Sequence, residues 1–237
     1  IAKDIAIPLY AGGGIEDLED VKKILYAGAD KVCLGKTVLV DKEIVKKAGD
    51  RFGKDQIIVS VDLESQEEPV SFAKEMARLG AGELLLLADK GYETFASLIK
   101  EIKEVSGLPV MVSISDPKEA VRILELTGAD DLAVASRETF GVMELKHECR
   151  AAKFGVNTFE SSMSFDEFKL NSDGMLTVVT QDYKTNEVLM VAYMTKEAFE
   201  KTVETGIMTY YSRSRNELWT KGDTSGHYQY VKSLTID

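Results

Sequence analysis

Residues 8–32 read P-L-Y-A-G-G-G-I-E-D-L-E-D-V-K-K-I-L-Y-A-G-A-D-K-V, and residues 109–132 read P-V-M-V-S-I-S-D-P-K-E-A-V-R-I-L-E-L-T-G-A-D-D-L. Each stretch starts at a proline, runs through a short apolar segment and a turn of small or polar residues, and enters an amphipathic segment closed by Gly-Ala-Asp. That order is one strand–helix unit. It recurs about 100 residues on, and both copies later reach Phe-Gly (Phe52-Gly53 and Phe154-Gly155), which marks an internal repeat.

Outward from these copies, the strand candidates are Ile5–Leu9, Lys31–Leu34, Ile57–Val61, Glu83–Leu87, Pro109–Val112 and Asp131–Val134. They are short, β-branched or leucine-rich, and lack polar alternation, which is the pattern of strands buried on both faces. Between them lie stretches such as Leu18, Val21, Ile24 and Leu25, spaced to put apolar side chains on one helical face. Six strand–helix units in a row predict a parallel sheet. One repeat period holds four units, and two full periods would make the eight of a closed barrel. The expectation is therefore an incomplete parallel (β/α) barrel of six units over residues 1–157, with two further units ahead of Ile1. Its two raw sheet edges predict poor stability in isolation.

The character changes near residue 156. Residues 158–172 are polar and aperiodic and read as a linker with a lead-in strand. Beyond it, alternating runs at 176–180 and 187–193 flank a turn at Thr185-Asn186, and a helix over Lys196–Thr205 is stopped by Gly206. Strand-like runs follow at Met208–Ser212, Glu217–Lys221 and Gln229–Ile236, so residues 173–237 predict a small α+β, mainly antiparallel domain. The whole is α/β in class. A first residue that is not Met, and a strand-like run up to Asp237, read as cuts in a longer protein.

With 44% hydrophobic residues the chain can bury a substantial core. Its net charge of -11, from 29 basic and 40 acidic residues, argues against nucleic-acid or anionic-membrane partners, since both require a positive surface. The chain has no apolar run of membrane-spanning length and opens on no signal peptide, which points to the cytoplasm. The 2 cysteines, Cys33 and Cys149, are too far apart in sequence for a disulfide framework or a close-set zinc ligand pair and read as small buried residues.

Two regions carry ligand chemistry. Gly12-Gly13-Gly14 follows a strand and precedes a helix, where backbone N–H groups can approach an anion, and Gly35-Lys36-Thr37 follows the next strand. On a barrel these are loops of the functional, C-terminal face. A plain tight turn explains the triple glycine equally well. The second region, residues 210–230, reads Y-Y-S-R-S-R-N-E-L-W-T-K-G-D-T-S-G-H-Y-Q-Y. It gathers arginines, a lysine and hydroxyls in an otherwise acidic chain, suited to phosphate and ribose. Gly222 and Gly226 permit close backbone approach, and Trp219, the single tryptophan, can stack on a base. The alternative there is a surface hairpin with solvated charges.

The runs I-P-L-Y-A-G-G-G-I-E-D-L-E-D, A-G-A-D-K-V and F-G-K-D-Q-I-I-V-S-V-D resemble the cyclase subunit of imidazole glycerol phosphate synthase, and somewhat less the pathway isomerase of the same barrel. The resemblance implies a phosphate site at Gly14, Lys36 and Thr37 and an acidic residue at Asp62, although the family more often has a small polar residue in place of Lys36. It also shows departures. The family's first catalytic acid lies on a strand ahead of Ile1. Its D-x-D-G-T loop is shortened here to L-L-A-D-K-G-Y-E-T (residues 86–94), with Asp89 a poor substitute, and its S-G-G is replaced by Ser113-Ile114-Ser115. Acid–base ring closure needs both carboxylates across the barrel mouth. The barrel is therefore expected to be non-catalytic. The alternatives are that it acts as the cyclase, or that it is a scaffold organising pathway partners.

E-V-L-M-V-A-Y-M and Y-Y-S-R-S-R-N-E-L-W-T-K-G-D-T-S-G-H resemble phosphoribosyl-AMP cyclohydrolase over residues 165–237. That resemblance implies hydrolytic opening of the adenine ring at the N1–C6 bond of a phosphoribosyl nucleotide, in histidine biosynthesis. It implies substrate contacts at Arg213, Ser214, Arg215, Trp219, Lys221, Thr224 and Ser225, and a polar active-site group at His227, where the family often has Asn. It implies Mg2+ and Zn2+, with Asp237 matching the first aspartate of the family's D-C-D-x-D magnesium-binding run. The zinc-ligating cysteines fall beyond Asp237, so this stretch by itself is expected to be inactive. Tyr210 and Tyr211 read as strand core. A homodimer with sites at the subunit interface, and a phosphoribosyl-ATP pyrophosphatase domain after the cyclohydrolase, are further implications.

Overall fold

The computed structural model describes residues 7–88, 91–135 and 140–236. In chain order the elements are β1 (Tyr10–Gly12), α1 (Leu18–Tyr26), β2 (Lys31–Leu34), α2 (Thr37–Val40), α3 (Glu43–Phe52), β3 (Ile57–Asp62), α4 (Pro69–Leu79), β4 (Glu83–Leu87), α5 (Ala96–Ser106), β5 (Val110–Ile114), α6 (Ala120–Thr127) and β6 (Asp131–Val134). Then come α7 (Val142–Ala151), β7 (Leu176–Gln181), β8 (Val188–Met194), α8 (Lys196–Thr205), β9 (Thr209–Ser212) and β10 (Glu217–Thr220). The chain divides into two compact units, Ile1–Thr139 and Phe140–Asp237.

The first unit holds a six-stranded, wholly parallel sheet in the order β1-β2-β3-β4-β5-β6. Each strand lies beside its sequence neighbour, the winding of a barrel and not of a doubly wound sheet, which reverses at a switch point. Val32, Leu34, Ile57, Val59, Leu84, Leu86, Val110 and Val112 are all fully buried, because helices cover one face and the curled interior covers the other. The sequence repeat is also a structural repeat. The Asp30 carboxylate accepts the Leu9 N–H (2.8 Å) while the Asp30 N–H donates to Leu9 O. Asp130 and Val110 make the same pair of bonds, at 2.9 and 2.8 Å. Each aspartate pins the start of one strand to the start of the next.

That pinning explains a correction. The first strand was expected over Ile5–Leu9 and instead runs Tyr10–Gly12. Pro8 has no N–H to donate, and both polar backbone groups of Leu9 are engaged by Asp30, so ladder pairing opens at Tyr10 against Lys31. Ile5 and Ala6 lie outside the described residues.

The second unit is an antiparallel sheet in the order β10-β9-β8-β7, covered by α8. Its core is Phe165, Met194, Ala198, Phe199, Met208 and Tyr210. Thr195 caps α8 by accepting the Ala198 N–H, and left-handed Gly206 ends it. Two expectations differ from the structure. Residues 158–172, read as a linker with a lead-in strand, hold no strand; they form a single helical turn at Phe165–Glu167 that buries Phe165 against Phe199. The expected strand Gln229–Ile236 reduces to one bridge, Ile207 with Tyr230. Met208 N–H bonds Gln229 O and Val231 N–H bonds Gly206 O, but residues 232–236 are exposed and meet no neighbouring strand.

Candidate functional site

The site in the second unit follows from strand register. Along β8, Met190, Ala192 and Met194 pack on the core while Val191 and Tyr193 face outward. The bridge between Tyr193 and Tyr211 sets those two side chains on one face. Ser212, Arg213 and Ser214 continue past Tyr211 into the β9–β10 turn. The result is a cleft of about 600 Å³ floored by Met190–Tyr193 and walled by Tyr211, Ser212, Arg213, Ser214 and Trp219.

The Arg213 guanidinium carbon lies 3.9 Å from the centre of the Tyr193 ring. The turn is self-bonded: Asn216 takes a left-handed conformation, its carboxamide oxygen accepts Tyr211 OH at 2.7 Å, and Ser212 Oγ accepts both the N–H and the Nε–H of Arg215. Trp219 sits opposite Tyr210 with ring centroids 5.1 Å apart, so one side of the indole packs on the core and another borders the cleft. Tyr210 is strand core, as expected. Its hydroxyl donates to Gln229 and shares a bond with Thr180, and burial pushes its phenol up. Tyr211, expected as core too, lines the cleft instead.

Of the residues read from sequence, Arg213, Ser214 and Trp219 meet at this cleft. Among the described residues, Arg215, Lys221, Thr224, Ser225 and His227 do not line it. Arg215 turns toward Glu217 at 3.3 Å. Lys221 donates its backbone N–H to Met208 O and opens a loop in which Thr224, Ser225 and His227 are exposed. Gly222, read as allowing close approach, is approached by Tyr228: a Cβ there would lie 2.6 Å from the Tyr228 ring. Ser212, one of the hydroxyls of the 210–230 run, lines it too, while sequence reasoning missed Tyr193 and Tyr211 as lining residues. The outward alternation of β8 was the signal available.

In the first unit, Gly13 and Gly14 both have positive φ (90° and 64°), and Thr37 Oγ donates to Glu16 O at 3.1 Å. That bond joins the two loops that hold Gly14, Lys36 and Thr37. Asp62 ends β3, and its carboxyl is held below the ordinary range by the Glu64 N–H and by Ser65, whose N–H also donates to it. Buried Tyr92 donates to Ser113 O and lies over the ends of β4 and β5. A cavity of about 360 Å³ in this unit lies at the opposite, amino ends of the strands, lined by Tyr10, Lys31, Glu83, Met111 and Asp131. Lys31 and Glu83 pair there at 2.6 Å. Burial pulls the Lys31 ammonium toward deprotonation, but the bond and charge of Glu83 outweigh it, and its pKa stands above the usual value. Asp89 and Asp237 lie outside the described residues.

Residues 190–237 match the family of phosphoribosyl-AMP cyclohydrolase, and residues 1–89 match that of histidine biosynthesis proteins. The chain is 58% identical over 71 residues to the histidine biosynthesis bifunctional protein HisIE of Thermoanaerobacter pseudethanolicus, covering 30% of this chain and 33% of that relative. It is 62% identical over 71 residues to the phosphoribosyl-AMP cyclohydrolase of Methanocella arvoryzae, covering 30% of this chain and 57% of the relative. It spans less than two thirds of either. To imidazole glycerol phosphate synthase subunit HisF of an Exiguobacterium species it is 33% identical over 189 residues, covering 69% of this chain and 73% of the relative. A sequentially wound parallel sheet followed by a separate antiparallel domain, each with such relatives, defines a histidine-biosynthesis barrel protein that carries a second domain. The chain belongs to the HisF family of imidazole glycerol phosphate synthase, and its last part is a phosphoribosyl-AMP cyclohydrolase domain.

The residues in hand do not fit a zinc centre. Among the described residues, no three His, Cys, Asp or Glu side chains converge as a metal site. Cys33 lies in the first unit and Cys149 in the second, and burial raises both thiols, whereas a zinc ligand must ionise readily. No helix among the described residues is long and apolar enough to cross a membrane.

Proposed function

We propose that this chain is the nucleotide-binding part of a longer protein that hydrolyses the N1–C6 bond of phosphoribosyl-AMP, with the cleft of the second unit as the seat of the nucleotide and the first unit as a non-catalytic barrel. The observation that carries this reading is the convergence of Arg213, Ser214 and Trp219 on one cleft inside the cyclohydrolase domain. The Arg213 fork suits a phosphate, Ser212 and Ser214 suit ribose hydroxyls, and Trp219 and Tyr211 offer faces to adenine. Arg215 before β10, and Lys221, Thr224, Ser225 and His227 after it, are separated by a strand of 4 residues, about 13 Å at the usual rise. Phosphoribosyl-AMP carries a phosphoribosyl arm on either side of its base, so two separated polar clusters match its two phosphate ends.

The described residues do not form the site of the Zn2+ and Mg2+ that the cyclohydrolase resemblance implies. What this chain contributes is binding and orientation. The barrel is read as non-catalytic because Asp62 is tied into its own turn and Tyr92 covers the ends of β4 and β5. We place the protein in the cytoplasm as a homodimer whose nucleotide cleft borders the subunit interface: Val191, in the floor of the cleft, and Val179, paired with it on the outer face of the sheet, are 58% and 57% exposed and form the surface offered for pairing.

The test is equilibrium titration with AMP. Arg213→Ala should weaken binding about 10- to 100-fold, the loss of hydrogen bonds to a charged group. An affinity equal to wild type would remove the cleft as the nucleotide site.

A further inference from the structure

Arg213 is held from two sides by residues of its own unit. Tyr193, whose ring it covers at 3.9 Å, is fixed in β8 between Thr177 of β7 and Tyr211 of β9. On the other side, Arg213 Nη1 lies 3.8 Å from Asp173 Oδ2. Asp173 sits in a loop closed by Asn171, whose side-chain oxygen accepts the N–H groups of Asp173 and Met175, both at 2.9 Å.

We propose that Tyr193 is a positioning residue for Arg213, and that Asp173 is a placeholder anion which the phosphate of a nucleotide displaces. The inference rests on the reading of the cleft as a nucleotide seat. A guanidinium stacked on a ring has its plane set while the N–H donors along its edge stay free, so little side-chain freedom remains to be lost when a phosphate binds. The carboxylate meets that edge at a long distance, and both partners are 52% exposed. An exposed pair of this kind is weak, whereas a phosphate dianion makes two short charge-assisted bonds to the same fork. The exchange therefore runs toward phosphate. A ligand without a phosphate has nothing to displace the carboxylate with. The arrangement thus selects nucleotides over nucleosides.

The experiment titrates the full chain with AMP and, separately, with adenosine. Asp173→Asn should bind AMP about two- to five-fold more tightly than wild type, because a competing exposed charge is gone. Its affinity for adenosine should not change. Asp173 is an exposed loop residue, so this variant keeps the fold. Tyr193→Leu should weaken AMP about five-fold while Tyr193→Phe, which keeps the ring, stays near wild type. In an Arg213→Ala background neither Asp173→Asn nor Tyr193→Leu should matter, an outcome that a purely structural Tyr193 would not give. Weaker AMP binding by Asp173→Asn, or an equal cost of Tyr193→Leu with and without Arg213, overturns the proposal while leaving the cleft as the site. If Arg213→Ala itself has no effect on AMP, the reading of the cleft has failed first and the proposal falls with it.

Discussion

In the first unit the anion-type loops lie at the opposite end of the sheet from the cavity that Lys31 and Glu83 line; in the second, Arg213 stands with Tyr193, Tyr211 and Trp219 on one open cleft. The contrast separates frame from site. The first unit keeps its strand order, its repeat and the paired aspartates that start its strands. Those features depend on burial and backbone bonding, which hold a sheet together whatever its loops do. A binding site depends on a few side chains meeting at one place, and in the first unit those side chains are already engaged by the protein: Thr37 ties its loop to the Glu16 carbonyl of the neighbouring loop, and Asp62 is bonded into its own turn. In the second unit, the bridge between Tyr193 and Tyr211 brings two distant stretches to one cleft.

Stability measurements can tell whether the two units stand independently. A Cβ on Gly82 would lie 2.3 Å from the backbone oxygen of Lys54, where no side chain can give way. Gly82→Ala should therefore destabilise the first unit by roughly 1–3 kcal/mol or more. Trp219 is the only tryptophan and lies in the second unit, so its fluorescence during urea unfolding reports that unit, whereas far-UV circular dichroism reports both. Two separate cores predict a midpoint that falls by circular dichroism and holds by fluorescence. Equal shifts in both signals would mean that the units unfold as one, and the contrast drawn above would lose its thermodynamic footing.

A smaller effect sharpens the contrast. Lys36→Ala removes the cation of the barrel loops. If nucleotide binding belongs to the second unit, AMP affinity should change less than two-fold, within the scatter of a surface substitution. A ten-fold loss measured by calorimetry would move the site to the barrel.

Much of the frame was legible in the sequence. The bounds of β2, β4, β6 and α8 match the runs read from it, because continuous apolar strands and a Thr-capped, Gly-stopped helix are local signals. The errors arose where long-range pairing decides. Ile5–Leu9 is as apolar as its neighbours, but Asp30, more than 20 residues away, engages Leu9 and delays the ladder. Gln229–Ile236 has strand composition and, after Val231, no strand beside it. Phe165 lay in a polar stretch and became core through one helical turn. The site was half legible. Charge and hydroxyl composition marked residues 210–230, but only register shows that Arg213 lies over Tyr193, while Arg215 and the 221–227 loop stand apart.

The central claim is that this chain seats a nucleotide on the β8–β9 cleft. Photolabelling with 8-azido-AMP, followed by peptide mapping, tests it most directly. The label is expected between Met190 and Trp219, competed away by unlabelled AMP and strongly reduced by Arg213→Ala at the same probe concentration. A competed label on the Gly12–Gly14 or Gly35–Thr37 loops, with residues 190–219 unmarked, would contradict it.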